Sequence, residues 1–231
     1  MNVVINNMHV LQALLHEKPE KIIALEGKAE SPKAKKILEE ARNKGIRILE
    51  KNKKISGLCK APVVKDLKSS DYDLGNLVLI LDEIQDTRNL GSCLRSASFF
   101  GVDSVVIPKH DSADFSNPAA IETSTGAAYD LNLYKTSNTS ELIKKLKKND
   151  YWVTGFSEHA SLDIKQQKFS EKNVLVFGNE EKGLRTLVQK NCDQLLKISK
   201  RGLTSSLNVS VAVSVAPVSY THLRAHETPR H

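Results

Sequence analysis

Polar segments follow three apolar stretches of this chain, at places where a strand would give way to a loop. QDTRNLGSCLRSA follows LVLILDEI, NEEKGLR follows NVLVFG, and KRGLTSSLNVSVA follows QLLKIS. We expect Asn89 to cap a helix and Arg95 to lie on its first turns, where anions bind. Gly178 is expected to end its strand, Glu180 to lie in the turn, and Gly183 to start the next helix. Because parallel sheets bind ligands at the carboxyl ends of their strands, the three loops together favour one binding site.

Other familiar sites are missing from the sequence. It contains neither the GxGxxG fingerprint of dinucleotide-binding proteins nor the GxxxxGK[ST] phosphate loop. The histidines are dispersed, without a partner at motif spacing, so we assign them surface or structural roles. Cys59, Cys93 and Cys192 have no CxxC or histidine spacing. That pattern predicts reduced thiols of a cytosolic, cytoplasmic protein, with neither a disulfide nor a metal.

The elements that would position these loops alternate between strands and helices. The first segment, to about Lys65, is predicted as helix HVLQALLHE, strand KIIALEG, helix 33–44 and strand IRILE. Residues 68–76 form a polar linker. Beyond it, strands LVLILDEI, SVVIP, YWVTGF, NVLVFG and QLLKIS alternate with helices. The alternation predicts an α/β fold with a parallel sheet covered on both faces, and domains at 1–67 and 77–216.

Charge is distributed unevenly along the 231 residues. The net charge of +7 lies wholly in residues 1–70, which hold 15 Lys and Arg against 8 Asp and Glu. The alternative for one helix alone is a solvated lysine-rich face. A whole basic segment beside a neutral one favours a nucleic-acid partner. Since the segment has no aromatic residue, it would contact phosphates rather than stack on bases. The predicted RNA contacts are Lys33, Lys35, Lys36, Arg42, Lys44, Arg47, Lys51, Lys53 and Lys54.

No stretch approaches the roughly 20 apolar residues of a membrane span, and the N-terminus lacks the pattern of a signal peptide. We therefore expect no membrane partner.

The three loops resemble a known set of motifs. RNLGSCLRSA, LVFGNEEKGLR and SSLNVSVA look like the three motifs, in order and at family spacing, of the SpoU (TrmH-like, SPOUT superfamily) RNA ribose 2′-O-methyltransferases. The match covers roughly residues 77–216. The first segment is similar to the small L30e-like α/β domain of those members that methylate a guanosine ribose in large-subunit (23S) ribosomal RNA.

The resemblance implies a fold and a cofactor. The family fold is a parallel-sheet α/β trefoil knot, which general folding rules would not propose because knots are rare. Its loops bind S-adenosyl-L-methionine, and its members are homodimers whose active site draws on both subunits. Carried onto this chain, the cofactor-binding residues are Thr123, Ser124, Gly126, Gly178, Asn179, Glu180, Ile198, Ser206, Leu207 and Asn208.

The resemblance also implies catalytic roles. Arg95 would activate the ribose 2′-hydroxyl, although a guanidinium is a poor base, so we expect it to bind the neighbouring phosphate and orient the hydroxyl. Asn89 and Glu180 would hold Arg95 and the target nucleotide in place. Ser206 and Asn208 would contribute to the cofactor loop and the ribose pocket.

The stretch TSSLNVSVAVSVAP, residues 204–217, permits two interpretations. Its alternation of valine with small residues is typical of a strand, whereas SSLN is a cluster that caps helices. With the resemblance, we predict a helix that starts at Asn208. Pro217 is expected to break or kink that helix. The tail 217–231 is expected to be disordered and non-native, which would weaken the dimer.

Two departures from the family concern the substrate. NNMHV replaces the usual glycine before the first helix, and GLCKAPVV stands where HQG is expected. The same chemistry on a transfer RNA, or at an antibiotic-resistance site of ribosomal RNA, is the nearest alternative. A non-catalytic RNA-binding protein on the same fold is the alternative of a different class.

Overall fold

The computed structural model describes residues 1–51, 53–68, 72–166, 170–200, 202–203 and 206–217. These residues form a four-stranded sheet followed by an eight-stranded sheet. None of the helices in those ranges is long and apolar enough to cross a membrane.

The first sheet is built from the N-terminal segment, and a short 3-10 turn links its first helix to the second strand. Its order is β1-β4-β2-β3, with β4 antiparallel to both neighbours and β3 parallel to β2. Both helices begin at side-chain caps, Asn7 and Ser31, whose oxygens accept backbone N–H groups of the first turn. The elements are β1 (Asn2–Ile5), α1 (Met8–Glu17), β2 (Ile22–Glu26), α2 (Pro32–Asn43), β3 (Arg47–Leu49) and β4 (Ser56–Lys60).

The second sheet is parallel at every pairing, as predicted, in the order β10-β12-β9-β11-β6-β7-β8-β5. Its strands are β5 (Val64–Asp66), β6 (Leu77–Leu81), β7 (Ser104–Pro108), β8 (Asn132–Thr136), β9 (Tyr151–Phe156), β10 (Leu162–Asp163), β11 (Lys172–Phe177) and β12 (Gln194–Lys197). Its helices are α3 (Thr87–Phe99), α4 (Pro118–Thr123), α5 (Thr139–Lys147), α6 (Thr186–Asn191) and a C-terminal helix over 209–217.

Two apolar cores lie on opposite faces of this sheet. Leu79 and Leu81 of β6 pack into a core shared with α3, α4, the C-terminal helix and the N-terminal sheet. Val78 and Ile80 point the other way, into a core with α5 and α6. Every residue of β6 is buried, which explains the unbroken apolar run LVLIL. The prediction of a sheet covered on both faces is confirmed.

The boundary between the two sheets does not coincide with the predicted linker. Residues 64–66 form β5, which pairs in parallel with β8 at the edge of the second sheet. The segment 1–67 that the sequence assigns to the first domain therefore contributes its last strand to the second sheet.

Four contacts fix the N-terminal sheet and its helices against the second sheet. The Glu122 carboxylate accepts the backbone N–H of Asn6 at 2.6 Å. Lys18 Nζ lies 2.5 Å from the carbonyl oxygen of Tyr129 and 2.9 Å from the carboxylate of Asp130. The Tyr129 hydroxyl donates to the Lys60 carbonyl at 2.9 Å. The β1 edge and α1 thus face α4 and the turn after it, and β3 is the far edge.

The stretch 204–217 is resolved in favour of the helix. Residues 209–217 are helical, and the Asn208 side chain accepts the backbone N–H of Ser210 at 2.8 Å, as a helix cap does. The strand interpretation is wrong, because a strand would place Val209, Val211 and Val213 on one face, whereas Val209 and Val213 are buried and Val211 is 47% exposed. Pro217 is itself buried and helical. The predicted tail beyond it lies outside the described residues.

Candidate functional site

Helix α3 begins two residues before the position that the sequence suggests for its cap. Asp86 is the N-cap: its carboxylate accepts the backbone N–H groups of Arg88 at 2.8 Å and Asn89 at 2.7 Å. The prediction that Asn89 caps the helix is wrong, because the nearby carboxylate takes that role. Asn89 lies inside the first turn instead, with its side-chain amide available for other segments.

The Asn89 amide joins three distant segments of the chain. Its Nδ2 donates to Glu180 Oε1 at 2.9 Å, and its Oδ1 accepts from Asn208 Nδ2 at 3.0 Å. These partners are 91 and 119 residues away in sequence. The loops that follow β6, β11 and β12 therefore meet in one hydrogen-bonded row, as their polar composition predicts.

The turn after β11 is built so tightly that only glycine fits at its start. A Cβ on Gly178 would lie 2.3 Å from the backbone carbonyl of Gly183, and Gly183 itself has a φ of +66°. Asn179 Oδ1 accepts the backbone N–H groups of residues 181 and 182, which closes the turn. The prediction that Gly183 starts a helix is wrong. That residue bridges back to Asn179, and α6 begins at Thr186.

A buried carboxylate lies directly beside this turn. Asp82 follows the last residue of β6, and its side chain is fully buried. Its Oδ2 accepts from Arg185 Nε at 2.9 Å, and its Oδ1 accepts from Arg185 Nη2 at 2.5 Å and from the Thr139 hydroxyl at 2.9 Å. Arg185 Nη1 also lies 2.9 Å from Glu83. The hydrogen bonds to Asp82, helped by its charge, raise the pKa of Arg185 above its usual value despite partial burial.

The sequence alone did not predict a role for Asp82 or Arg185. The available signal was a charged residue at the end of the wholly apolar strand LVLIL, where an unpaired carboxylate would be costly. The partner could not be deduced, because Arg185 is 103 residues away and separated from Asp82 by three helix–strand pairs and two further strands.

Arg95 lies in the third turn of α3, on its exposed side. Neither a hydrogen bond nor an ion pair links its guanidinium to any residue in the described ranges. Arg88 and Phe99 are exposed at helical spacing on the same stripe, and Phe99 has 82% of its surface exposed. The expectation that Arg95 lies on α3 is correct, although it sits about two turns from the helix start.

The C-terminal helix runs alongside α3. Ser96 and Ser214 share a hydrogen bond at 2.7 Å. The Asn89–Asn208 contact lies nearer the N-terminal ends of both helices. From the Asn89–Asn208 contact to the Ser96–Ser214 contact, the residue numbers rise in both helices, so the two helices are parallel. Small residues at the contact let the two helices approach closely.

A profile of the SpoU rRNA Methylase family matches residues 76–217. The chain belongs to the SpoU rRNA methylase family. The 23S rRNA (guanosine-2′-O-)-methyltransferase RlmB of Escherichia coli is 32% identical to it over 93% of this chain and 96% of that protein. RlmB of Haemophilus influenzae is 34% identical over 91% of this chain and 94% of that protein.

Solved structures of SpoU methyltransferases share the fold. The SpoU methyltransferase AviRb of Streptomyces viridochromogenes, in complex with the cofactor AdoMet, aligns with a TM-score of 0.79 and 18% identity. The alignment covers 97% of this chain and 91% of AviRb. An RNA 2′-O ribose methyltransferase aligns with a TM-score of 0.80 and 18% identity, over 97% of this chain and 89% of that one.

The SpoU motifs account for part of the predicted cofactor site. Gly178, Asn179, Glu180 and Asn208 lie in or beside the hydrogen-bonded row. Ser206 and Leu207 are exposed just ahead of it, and Ile198, half-buried, follows β12.

The segment Thr123–Gly126 lies elsewhere. Thr123 ends α4, and a Cβ on Gly91 of α3 would come within 2.7 Å of it. The Ser124 hydroxyl, fully buried, donates to the Ile121 carbonyl at 2.8 Å. A Cβ on Gly126 would meet Val10 of the N-terminal sheet's first helix. No hydrogen bond in the described ranges joins this segment to the Asn89 row, so its cofactor role stays a prediction.

The nine predicted RNA contacts lie on α2, β3 and the turn after β3. All are exposed except half-buried Lys33, whose amine is 3.0 Å from the His9 ring. Lys35 and Arg42 have carboxylate neighbours at 4.0 and 3.5 Å, in Glu39 and Glu50. The set lies toward the edge of the first sheet farthest from the second.

The cysteines are free thiols. Burial raises the pKa of Cys59 and of Cys192 to about 12. Burial, with a smaller contribution from the charge of Glu180, raises the pKa of Cys93. Among the described residues no group of His, Cys, Asp and Glu is arranged to hold a metal.

Proposed function

We propose that this protein uses S-adenosyl-L-methionine to methylate the 2′-hydroxyl of a guanosine ribose in bacterial 23S ribosomal RNA. The observation that carries the proposal is the Asn89 amide, which bonds Glu180 and Asn208 and so assembles the three SpoU motifs at one edge of the sheet. Relatives 32–34% identical over almost the whole chain bear the name of that guanosine methyltransferase, which supports the choice of substrate.

The residues at this edge suit the cofactor. The Gly178 turn has no side chain at its first position, and Glu180 supplies a carboxylate near it. Leu207, 49% exposed, and half-buried Ile198 offer apolar surface of the kind that an adenine ring contacts. A tight glycine turn with a carboxylate and apolar flanks fits a ligand that combines an aromatic base, ribose hydroxyls and a cationic sulfonium. When bound, S-adenosylmethionine supplies a methyl group on a sulfonium sulfur for uptake by the ribose 2′-oxygen.

Arg95 is the residue to which we assign activation of the ribose. Its guanidinium has no carboxylate partner among the described residues, so its donors are available for an RNA phosphate. As a poor base, it would orient or acidify the 2′-hydroxyl, and the proton would leave to phosphate or water. Asn89 and Glu180 hold the start of α3, and alignment of two bound reactants can lower the barrier by several kcal/mol, up to roughly 7–11 in ideal cases.

The proposal includes a homodimer and a trefoil knot. Phe99, 82% exposed, and Val211, 47% exposed, lie on α3 and the C-terminal helix, which pack side by side. Exposed apolar side chains on adjacent helices are typical of a subunit interface. A second copy placed there would bring Arg95 of one subunit near the partner's site. Sedimentation of wild type and Phe99→Asp tests this: we expect a dimer that the variant dissociates, and a monomeric wild type would contradict it.

The basic face of the N-terminal sheet would contact RNA phosphates. The proposed place of action is the cytoplasm, and the relatives named for the modification of ribosomal RNA support this choice.

The deciding experiment measures transfer of a tritiated methyl group from S-adenosylmethionine to bulk ribosomal RNA and to bulk transfer RNA, followed by mapping of the modified nucleotide. We expect label at a guanosine 2′-oxygen of 23S RNA. Label in transfer RNA only, or at another ribosomal nucleotide, would show that the proposed substrate is wrong and would identify the actual one. Binding of RNA with no transfer to either pool would point to the non-catalytic alternative.

A further inference from the structure

The pair formed by Asp82 and Arg185 joins two of the three loops that carry the SpoU motifs, yet neither residue is in the proposed catalytic set. We infer that Asp82 and Arg185 are positioning residues that hold the Gly178–Gly183 turn in the conformation that binds S-adenosylmethionine. This inference rests on the proposed function.

All the polar groups of the pair are engaged within the protein. Both Asp82 oxygens accept from Arg185, and the Thr139 hydroxyl, itself in a buried residue, donates to Asp82 and accepts from Arg185 at 3.1 Å. The third nitrogen of the guanidinium contacts Glu83. An arginine whose guanidinium forms a bidentate pair with one carboxylate and contacts a second carboxylate is held in one geometry. It is therefore suited to fix neighbouring backbone rather than to bind a ligand.

The pair spans the two ends of the site. Asp82 directly follows β6, and four residues later Asp86 caps α3. Arg185 directly precedes α6 and closes the segment that begins with Gly178. Between these ends, Asn179 Nδ2 donates to the Glu83 carbonyl at 2.9 Å, which forms a second tie between the same loops.

The backbone beside the pair adopts a conformation that needs such support. Glu83 has a φ of +62°, in the left-handed region that residues with a Cβ rarely enter. Strained residues of this kind persist where surrounding contacts over-determine them, and they cluster at ligand sites. With the Arg185 tie removed, the side chains of the turn would still be joined to the neighbouring loops by the Asn179–Glu83 and Asn89–Glu180 bonds. We expect the turn to sample conformations with lower cofactor affinity.

The test measures the Kd of the full-length protein for S-adenosylmethionine by calorimetry, at a temperature well below each variant's melting midpoint. The variants are Arg185→Gln, Arg185→Lys and Thr139→Val, with Lys190→Gln as a matched control. Lys190 is an exposed cation on α6 whose side chain forms no hydrogen bond or ion pair with the described residues. We expect Arg185→Gln to raise Kd by about tenfold or more, the factor typical when a residue that supports a metal ligand is replaced.

Arg185→Lys keeps the charge but loses the fork, so its Kd should lie between wild type and Arg185→Gln. Thr139→Val preserves shape and should raise Kd by a smaller factor, while Lys190→Gln should not change it. The KM for S-adenosylmethionine should rise with Kd, and kcat at saturation should fall much less. A purely structural pair would lower the melting midpoint in all three variants and leave Kd unchanged, which would overturn the inference. Wild-type protein that binds no S-adenosylmethionine would instead overturn the proposed function.

Discussion

Arg95 and Arg185 lie in the segments that follow β6 and β11, and their surroundings differ in almost every respect. Arg185 meets a fully buried carboxylate with a bidentate fork and a second carboxylate with its remaining nitrogen. Arg95 is exposed and contacts no charged partner within the described part of the chain. One guanidinium is thus already satisfied by the protein, and the other still has its donors to offer.

This difference separates positioning from chemistry. An arginine that pairs with no carboxylate among the described residues can bind the phosphates of a polyanion, whereas a neutralised one cannot do so without breaking a buried pair. Replacing the two arginines should therefore have different effects. Replacement of Arg95 should lower turnover, whereas replacement of Arg185 should lower stability and cofactor affinity.

The largest effect should come from Arg95→Ala. We expect single-turnover methylation to fall by at least about 10²-fold, since one charged donor at a reacting oxygen is typically worth about 10²–10³ in rate. The Kd for S-adenosylmethionine and the melting midpoint should remain close to wild type, because exposed substitutions change stability by about 0.5 kcal/mol or less. Unchanged single-turnover methylation would contradict the assignment of Arg95.

Arg185→Gln should reverse this profile. Removing one partner leaves Asp82 buried without its counter-charge, which costs about 3–5 kcal/mol for fully buried pairs. Because the Arg185 side chain is 44% exposed, we expect about 2–3 kcal/mol, or a melting midpoint lower by about 5–10 °C. Thermal denaturation beside Arg95→Ala gives the comparison. A midpoint within about 1 °C of wild type would show that the pair contributes little.

Asn89→Ala should fall between the two. It removes both hydrogen bonds that join α3 to the other motifs, each worth about 0.5–1.5 kcal/mol. Methylation measured as kcat/KM should fall by about tenfold, with a modest loss of stability. Asn208→Ser removes the amide that donates to Asn89 but keeps a hydroxyl that can cap the C-terminal helix. It should therefore have a smaller effect, and equal losses would argue against a row that acts through Asn89.

The smallest effect concerns Cys192, the residue that ends α6. With its pKa raised to about 12 by burial, the native thiol is almost wholly protonated at pH 8, so alkylation by iodoacetamide should be slow. Peptide mass spectrometry should detect faster labelling of Cys192 in Arg185→Gln, because α6 starts at the lost contact. Labelling in Arg95→Ala should match wild type. Equal rates in all three proteins would mean that Arg185 does not hold α6.

Sequence patterns predicted the elements well where one periodicity dominated. The apolar runs of β6, β7 and β11 predicted the alternation and the parallel sheet, which the structure confirms. The errors fall at element ends, where neighbouring side chains compete for the same backbone groups. Asp86 takes the cap assigned to Asn89, and the close contact of Gly178 with Gly183 delays the helix.

The sequence by itself determined the family, because the three motifs are short, local and in order. It also placed the polar loops after their strands, since side-chain type and spacing are properties of the chain. Only the tertiary structure decided which groups meet. The Asn89 row and the Asp82–Arg185 pair each join residues about a hundred positions apart, and such contacts depend on how parallel strands are ordered in the sheet. For the same reason, two arginines that look alike in sequence differ in the structure, where Arg185 pairs with one fully buried and one partly buried carboxylate and Arg95 pairs with none of the described residues.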